Sequence, residues 1–212
     1  MIVTEAVKEY LAGLRPEPDA VLAEMEAHGT RDRIPIVAPE TGALLQVLAA
    51  SRRAARVVEV GTAIGVSTLY LARALPAGGT IISFEIDEER HVAAQAYLER
   101  AGVIDRADLR LQDAREGLAS LQRPFDMAFI DGVKSQYIDY FDLVLPLLGP
   151  GAVLAVDNVL MSGTVAEGQS DGHWTDEQIA TARAFNERLL ARPELSATVT
   201  PVGDGVLVAV RR

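Results

Sequence analysis

From Arg56 onward the chain alternates short apolar runs of strand length with longer stretches whose apolar residues recur every three to four positions. The strand-like runs are Val57-Val58-Glu59-Val60, Thr80-Ile81-Ile82-Ser83-Phe84, Leu109-Arg110-Leu111, residues 125–130 and residues 152–156. Helical spacing fills residues 66–75, 88–101, 113–121 and 136–148 between them. This rhythm leaves few folds open. Strands separated by a helix's length of chain pair in parallel, and the crossovers cover both faces of the sheet with helices. The expected class is α/β. The end of the chain departs from the rhythm. A helix over 175–191 leads to strands at 197–201 and 206–210 joined by Gly203-Asp204-Gly205, which reads as an antiparallel hairpin at the sheet edge. Before the first strand, residues 4–14, 18–29 and 38–50 have helical spacing. No repeat or linker divides the chain, so one domain is expected over 1–212, with N-terminal helices (1–50) ahead of a core (55–212).

Composition narrows the function. With 212 residues and 49% hydrophobic content the chain is large and apolar enough to bury a core, which excludes global disorder. Its net charge of −10 repels phosphate backbones and anionic membranes. The absence of cysteine excludes disulfides, zinc–thiolate sites and thiol nucleophiles. Residues 1–14 carry Glu5, Lys8 and Glu9 and contain no signal-peptide core, and the apolar stretch 143–156 is broken by Pro146, Gly149, Pro150 and Gly151. A soluble cytoplasmic protein is the expectation.

In an open parallel sheet a ligand sits beyond the carboxyl ends of the strands, beside the first. Glu59-Val60-Gly61-Thr62-Ala63-Ile64-Gly65-Val66-Ser67 occupies that position. Gly61 lets backbone approach a ligand, Gly65 permits the turn into a helix whose N-terminus favours an anion, and Ser67 offers a hydroxyl in the first turn. The spacing is not the Gly-x-Gly-x-x-Gly fingerprint of dinucleotide sites, so the turn suits one carboxylate better than a pyrophosphate. Glu85 ends the second strand, where an acid accepts hydrogen bonds from ribose hydroxyls, and Ala114 after Asp113 lies where an adenine ring meets backbone. Together these predict a nucleoside site. The gly-rich segment 162–172 is the expected mobile loop or lid.

Three oxygen ligands end two later strands: Asp131 after 125–130, and Asp157-Asn158 after 152–156. If those strands are neighbours, all three face the glycine turn, and two carboxylates with an amide oxygen suit a hard divalent cation such as Mg²⁺. Taken singly, an Asp at a strand end is an ordinary cap or turn residue. Lys134 adds weight, because the chain has only two lysines, Lys8 and Lys134, among 20 cationic side chains. Unlike arginine, a partly desolvated lysine near a metal can lose its proton, which makes Lys134 a candidate general base; the plain alternative is a solvated lysine at a helix start. Tyr137, one helical turn on, Tyr140 and Trp174 read as core or rim aromatics rather than substrate-stacking platforms. His28, His91 and His173 are scattered, and no Gly-x-Ser-x-Gly elbow exists, so a histidine metal site and a serine hydrolase both lack their parts.

These motifs resemble the cation-dependent, S-adenosylmethionine-dependent O-methyltransferases, the family that includes the caffeoyl-CoA and catechol O-methyltransferases. The likeness runs from about Ile36 to Arg211. It is carried by Val58-Glu59-Val60-Gly61-Thr62 with Gly65 and Ser67-Thr68-Leu69, by Phe84-Glu85-Ile86-Asp87, by Phe129-Ile130-Asp131 with Lys134 and Tyr137, and by Asp157-Asn158-Val159-Leu160 with Gly163. Phe185-Asn186 and Pro201 with Gly203-Asp204-Gly205 extend it. The resemblance implies a Rossmann-like class I methyltransferase fold: a seven-stranded, mostly parallel sheet with an antiparallel C-terminal edge hairpin and helices on both faces. It implies that Val37, Glu59, Gly61, Thr62, Ser67, Glu85, Asp113, Ala114 and Asp131 contact S-adenosylmethionine. Glu59, Gly61, Thr62 and Ser67 would line its methionine end, Glu85 the ribose, and Asp113 with Ala114 the adenine. Asp131, Asp157 and Asn158 would hold the cation (Mg²⁺, with Ca²⁺ or Mn²⁺ as alternatives), and Lys134 would help deprotonate the acceptor hydroxyl. Lys134, Tyr137, Met161 and Ser162 would face the acceptor, and the enzyme would be a homodimer. The chain departs from the family at Gly132-Val133 (often Ala-Asp), at Met161 (often Trp) and at Thr41 (Glu in plant members), all around the acceptor pocket.

The implied reaction is methyl transfer to a hydroxyl of a catechol-like small molecule, such as a phenylpropanoid, flavonoid or natural product. The alternative within the resemblance is a hydroxyuridine of tRNA. Net charge opposes it, since Arg52, Arg53 and Arg56 form the one basic cluster in the sequence. An NAD-dependent oxidoreductase or a non-enzymatic binding module is disfavoured by the glycine spacing and the metal-like oxygen set.

Overall fold

The computed structural model describes residues 4–122 and 124–212, with backbone only at Glu5. The reading of the first three residues as part of the N-terminal run therefore lies outside the described residues. Seven strands, β1 (Arg56–Val60), β2 (Thr80–Glu85), β3 (Ala107–Leu111), β4 (Phe125–Ile130), β5 (Leu148–Val156), β6 (Leu195–Thr200) and β7 (Val206–Arg211), make one sheet among the described residues. Their order is β3-β2-β1-β4-β5-β7-β6. β1 pairs in parallel with β2 and β4, β2 with β3, and β4 with β5, whereas β7 runs antiparallel to β5 and β6 antiparallel to β7. The chain leaves β1 outward through β2 and β3, then crosses back to the other side of β1 for β4. The switch point between β1 and β4 is where such a sheet opens a crevice.

The helices are α1 (Glu5–Gly13), α2 (Ala20–Asp32), α3 (Pro39–Arg52), α4 (Val66–Ala74), α5 (Glu88–Arg100), α6 (Ala114–Ala119), α7 (Tyr137–Val144), α8 (Thr164–Glu167) and α9 (Asp176–Leu190). Side chains alternate across a strand, so each central strand feeds two cores. Val57, Met127, Phe129, Val153 and Ala155 pack with Leu45 of α3, Leu69 of α4 and Leu98 of α5. Val58, Val60, Ala128, Ile130, Leu154 and Val156 pack on the other face with Leu118 of α6, Phe141 of α7 and Phe185 of α9. Burying one such Leu or Phe contributes roughly 1.5–3 kcal/mol, so the two-sided burial holds β1, β4 and β5 as the rigid floor of the site. Caps mark the helix starts. Asp19 accepts from the Val21 and Leu22 N–H groups, Asp87 from Arg90 N–H, and Thr175 with Gln178 forms a capping box.

Three expectations change. The single helix read over 136–148 is a 3-10 turn (Lys134–Gln136), then α7, then a second 3-10 turn (Leu145–Leu147), because Pro146 removes an N–H and blocks continuation. β5 begins at Leu148 rather than at residue 152. It runs through Gly149-Pro150-Gly151, where the pairing with β4 shifts register between Phe125 and Met127; a bulge tolerates the proline. The segment read as a loop over 162–172 includes a 3-10 turn (Met161–Gly163) and the one-turn α8. Among the described residues no helix is long and apolar enough to cross a membrane.

Candidate active site

The turn after β1 is built around a glycine that no other residue can replace. Gly61 has φ +94°, and a Cβ there would lie 2.1 Å from the carbonyl oxygen of Asp131. The close approach draws the ends of β1 and β4 together. Gly61 and Thr62 N–H both donate to Phe84 O, which ties the turn to β2 as well. Glu85, at the end of β2, completes the frame. Its Oε2 accepts from Ala63 N–H at 2.7 Å and its Oε1 from Ile86 and Asp87 N–H at 2.8 and 3.0 Å. A carboxylate has about four acceptor positions, so this one is fixed in place and keeps about one for a ligand.

Beyond these strand ends lies a cavity of about 340 Å³. It is lined by Val37, Gly61, Thr62, Ser67, Glu85, Asp113, Ala114, Asp131 and Lys134 of the residues expected at the site. Asp113 caps α6 through Arg115 N–H at 2.8 Å, and the Arg115 guanidinium hydrogen-bonded to it holds its carboxyl below the usual range. Sequence reasoning passed over Arg90, Gln112 and Gln136, which also line the cavity, as do Ile86 of the motif after β2 and Tyr140, read from the sequence as a core or rim aromatic. Gln112 was within reach, since it directly precedes Asp113 at a strand end, and its N–H donates to Glu85 O. Arg90 and Tyr140 sit on helices, where only the tertiary arrangement shows which face meets the cavity.

Glu59, expected from the resemblance at the methionine end, stands behind the cavity wall. Val58 and Val60 face α7, so period two turns Glu59 toward α4. There it is fully buried; Oε2 accepts from Thr68 Oγ1 at 2.5 Å and Ser83 Oγ at 2.6 Å, and Oε1 has no partner. Burial raises its pKa to about 7.

The other pole of the cavity is charged: Asp131 and Lys134 line it, and Asp157 and Asn158 stand next to them outside its lining. Asp131 follows β4 and its N–H donates to Val60 O, while Asp157 follows β5 and its N–H donates to Ile130 O, so adjacent strands deliver both acids to one point. The Lys134 Nζ stands between the oxygens of the predicted set, donating to Asp131 Oδ1 at 2.7 Å and to Asn158 Oδ1 at 2.6 Å. Burial opposes its charge, but Tyr137 and the Asp131 carboxylate outweigh that, holding Lys134 protonated above the ordinary lysine value. Asp157 is 3% exposed, and burial, reinforced by Asp131, raises it to about 7. Its Oδ1 is buried without a hydrogen-bond partner. Among the described residues no three His, Cys, Asp or Glu side chains form a metal-holding group; this set has two carboxylates and an amide.

Tyr137 is buried and donates to Asp157 O at 3.1 Å, so it braces the acid from beneath. Met161 is 1% exposed and packs with Val165, Ile179 and Ala182, and Ser162 donates through N–H and Oγ to Asp204. Neither lines the cavity. The basic cluster is remote. Arg56 opens β1 and stacks on Phe125, while Arg52 pairs with Asp126, both at the strand ends opposite the cavity.

A profile of the O-methyltransferase family matches residues 17–212. The chain belongs to the O-methyltransferase family. This O-methyltransferase is 35% identical to a catechol O-methyltransferase from Niastella koreensis, over 98% of the chain and 97% of the relative. Its fold superposes on the Bacillus cereus O-methyltransferase solved with SAH at a TM-score of 0.85, with 32% identity over 98% of this chain and 97% of that one. A similar match, TM-score 0.85 with 31% identity over 99% of each chain, is to TomG from Streptomyces achromogenes, solved with SAM and involved in tomaymycin synthesis.

Proposed function

We propose that this O-methyltransferase takes its methyl group from S-adenosylmethionine and passes it to a hydroxyl of a small catechol-like molecule with the help of a divalent cation. The observation that carries the reading is one cavity with a nucleoside frame at one pole and, at the other, Asp131 and Lys134, with Asp157 and Asn158 next to them outside its lining. Glu85, held by three backbone N–H groups, is fitted to a ribose hydroxyl; Ala114 at the start of α6 is fitted to adenine; Gly61 and Ser67 stand at the methionine end.

The oxygen set fits a cation. Asp131 Oδ1 and Asn158 Oδ1 already converge on one positive group, and Asp157 Oδ1 is buried with nothing to bind. Hard carboxylate and amide oxygens suit Mg²⁺, with Ca²⁺ and Mn²⁺ close behind. Bound there, a divalent cation would lower the pKa of an acceptor hydroxyl. Asp131, Asp157 and Asn158 are the residues that would hold it. Lys134 as it stands is a donor, kept charged by Asp131; it becomes a base toward the acceptor hydroxyl when the acids' charge is taken up elsewhere. Positioning acceptor and methyl donor in one crevice supplies much of the rate, up to roughly 7–11 kcal/mol in ideal cases.

The segment between α2 and α3 lines the cavity through Val37, on the cofactor's side, and exposed Tyr10 and Leu11 on α1, with Leu14 just after it, support a second copy as partner. A tRNA acceptor is disfavoured, because the arginine cluster lies at the far end of the sheet. The test is labelled methyl transfer from S-adenosylmethionine to catechol: turnover should vanish in EDTA and return with Mg²⁺. Full activity in excess chelator would remove the cation from the reading.

A further inference from the structure

Resting on that reading of the site, we propose that Asp204, in the turn between β6 and β7, is a positioning residue that clamps the loop 159–162 behind Asn158 and so sets acceptor affinity. Asp204 Oδ1 accepts from Ser162 N–H at 2.7 Å and from Ser162 Oγ at 3.0 Å. Its carbonyl accepts from Leu160 N–H at 3.1 Å, and the neighbouring Gly205 O from Val159 N–H at 3.0 Å. The turn thus binds three of the four residues that follow the two strand-end ligand candidates.

The loop needs such a clamp. Asn158, Met161 and Ser162 have φ of +58°, +45° and +56°, the left-handed region that side chains other than glycine avoid. A strained run of this kind persists only where its surroundings over-determine it. The turn is seated without slack. A Cβ on Gly205 would lie 2.4 Å from Leu160 Cγ, and one on Gly203 would lie 2.5 Å from Thr41 Oγ1 of α3. Asp204 is therefore wedged between α3 and the loop, and its carboxylate is the side-chain group of the turn that meets Ser162. Because Asn158 immediately precedes the held segment and Lys134 Nζ bonds its Oδ1, slack in the loop would reach the acceptor pole first. Glu85 and the nucleoside frame lie on β2, outside the clamp.

The test uses the full chain in three variants: Asp204→Ala, Asp204→Asn and Ser162→Ala. Asparagine keeps an Oδ1 acceptor for Ser162, loses the charge and puts an NH2 in place of Oδ2. Hydrogen–deuterium exchange on the ligand-free enzyme should show faster exchange of a peptide spanning 158–163 in Asp204→Ala, wild-type exchange in Asp204→Asn, and an intermediate rate in Ser162→Ala. In turnover, Asp204→Ala should raise KM for catechol by about tenfold, the loss of one to two hydrogen bonds to a charged group, with kcat and the Kd for S-adenosylhomocysteine within about threefold of wild type. Unchanged exchange in Asp204→Ala, equal damage in Asp204→Asn, or a parallel loss of S-adenosylhomocysteine affinity would overturn the inference. If Asp204→Ala does not fold, Ser162→Ala and Asp204→Asn decide it by the same exchange readout. A wild-type enzyme that binds S-adenosylhomocysteine but leaves catechol unmethylated would refute the proposed acceptor, and the exchange data would still judge the clamp.

Discussion

Replacing Glu59 with glutamine should erase a pH dependence that this single buried acid imposes on the stability of the fold. Burial raises the Glu59 pKa from 4.5 to about 7. The folded chain therefore holds this proton more tightly than the unfolded chain. Between the two values the native state carries more protons, so stability falls as pH rises: the contribution is complete below pH 4.5 and is lost as pH climbs through about 7. At about 1.4 kcal/mol per pKa unit, the difference in unfolding free energy between wild type and Glu59→Gln should decrease by roughly 2 to 3 kcal/mol from pH 5 to pH 8. Glutamine keeps an oxygen for the Thr68 and Ser83 hydroxyls and places its amide where Oε1 has no partner, which adds an offset that does not vary with pH. Titrations shared by both proteins, including that of Asp157, cancel in the difference. Urea unfolding at pH 5, 6, 7 and 8 measures it; with a slope of about 2–3 kcal/mol/M the separation of midpoints should change by about 1 M. A separation that stays constant across this range, or that moves in the opposite direction, would refute the burial argument.

Three further outcomes follow from the geometry. Gly61→Ala should destabilise the fold by about 3 kcal/mol or more and abolish S-adenosylhomocysteine binding, because its Cβ would lie 2.1 Å from Asp131 O at a left-handed φ; thermal melts and calorimetry check both. Lys134→Ala should lower kcat by about 100-fold or more with cofactor affinity within about threefold, and equal losses in both would make Lys134 a binding residue only. Arg188→Ala removes a 2.7 Å ion pair with Asp142 whose side chains are 42% and 45% exposed, so denaturant unfolding should shift by less than about 1 kcal/mol.

Much of the fold was legible because strands and helices have different periods. Val57-Val58 and 125–130 read as strands before any tertiary information, and the Gly-Asp-Gly turn announced the edge hairpin. Pattern failed at Gly149-Pro150-Gly151, which looks like a break and forms the bulged start of β5, because pairing with β4 overrides local preference there. At the site, residues at strand ends were the readable ones, since the fold class alone directs them to the crevice. Arg90 was not, because a helix presents many faces and the sequence does not say which one a cavity meets.

Composition and rhythm alone determined that this chain forms a two-faced α/β sheet and offers glycines, acids and a rare lysine at its strand ends. Tertiary structure decided which strands lie side by side, and with them that Asp131 and Asp157 share one pole. It turned Glu59 away from the cavity and made Lys134 an ammonium between two oxygens. It also brought Asp204 across the chain to Ser162. The physical reason is that period and spacing are local, whereas charge state, burial and side-chain direction depend on neighbours that only the folded chain assembles.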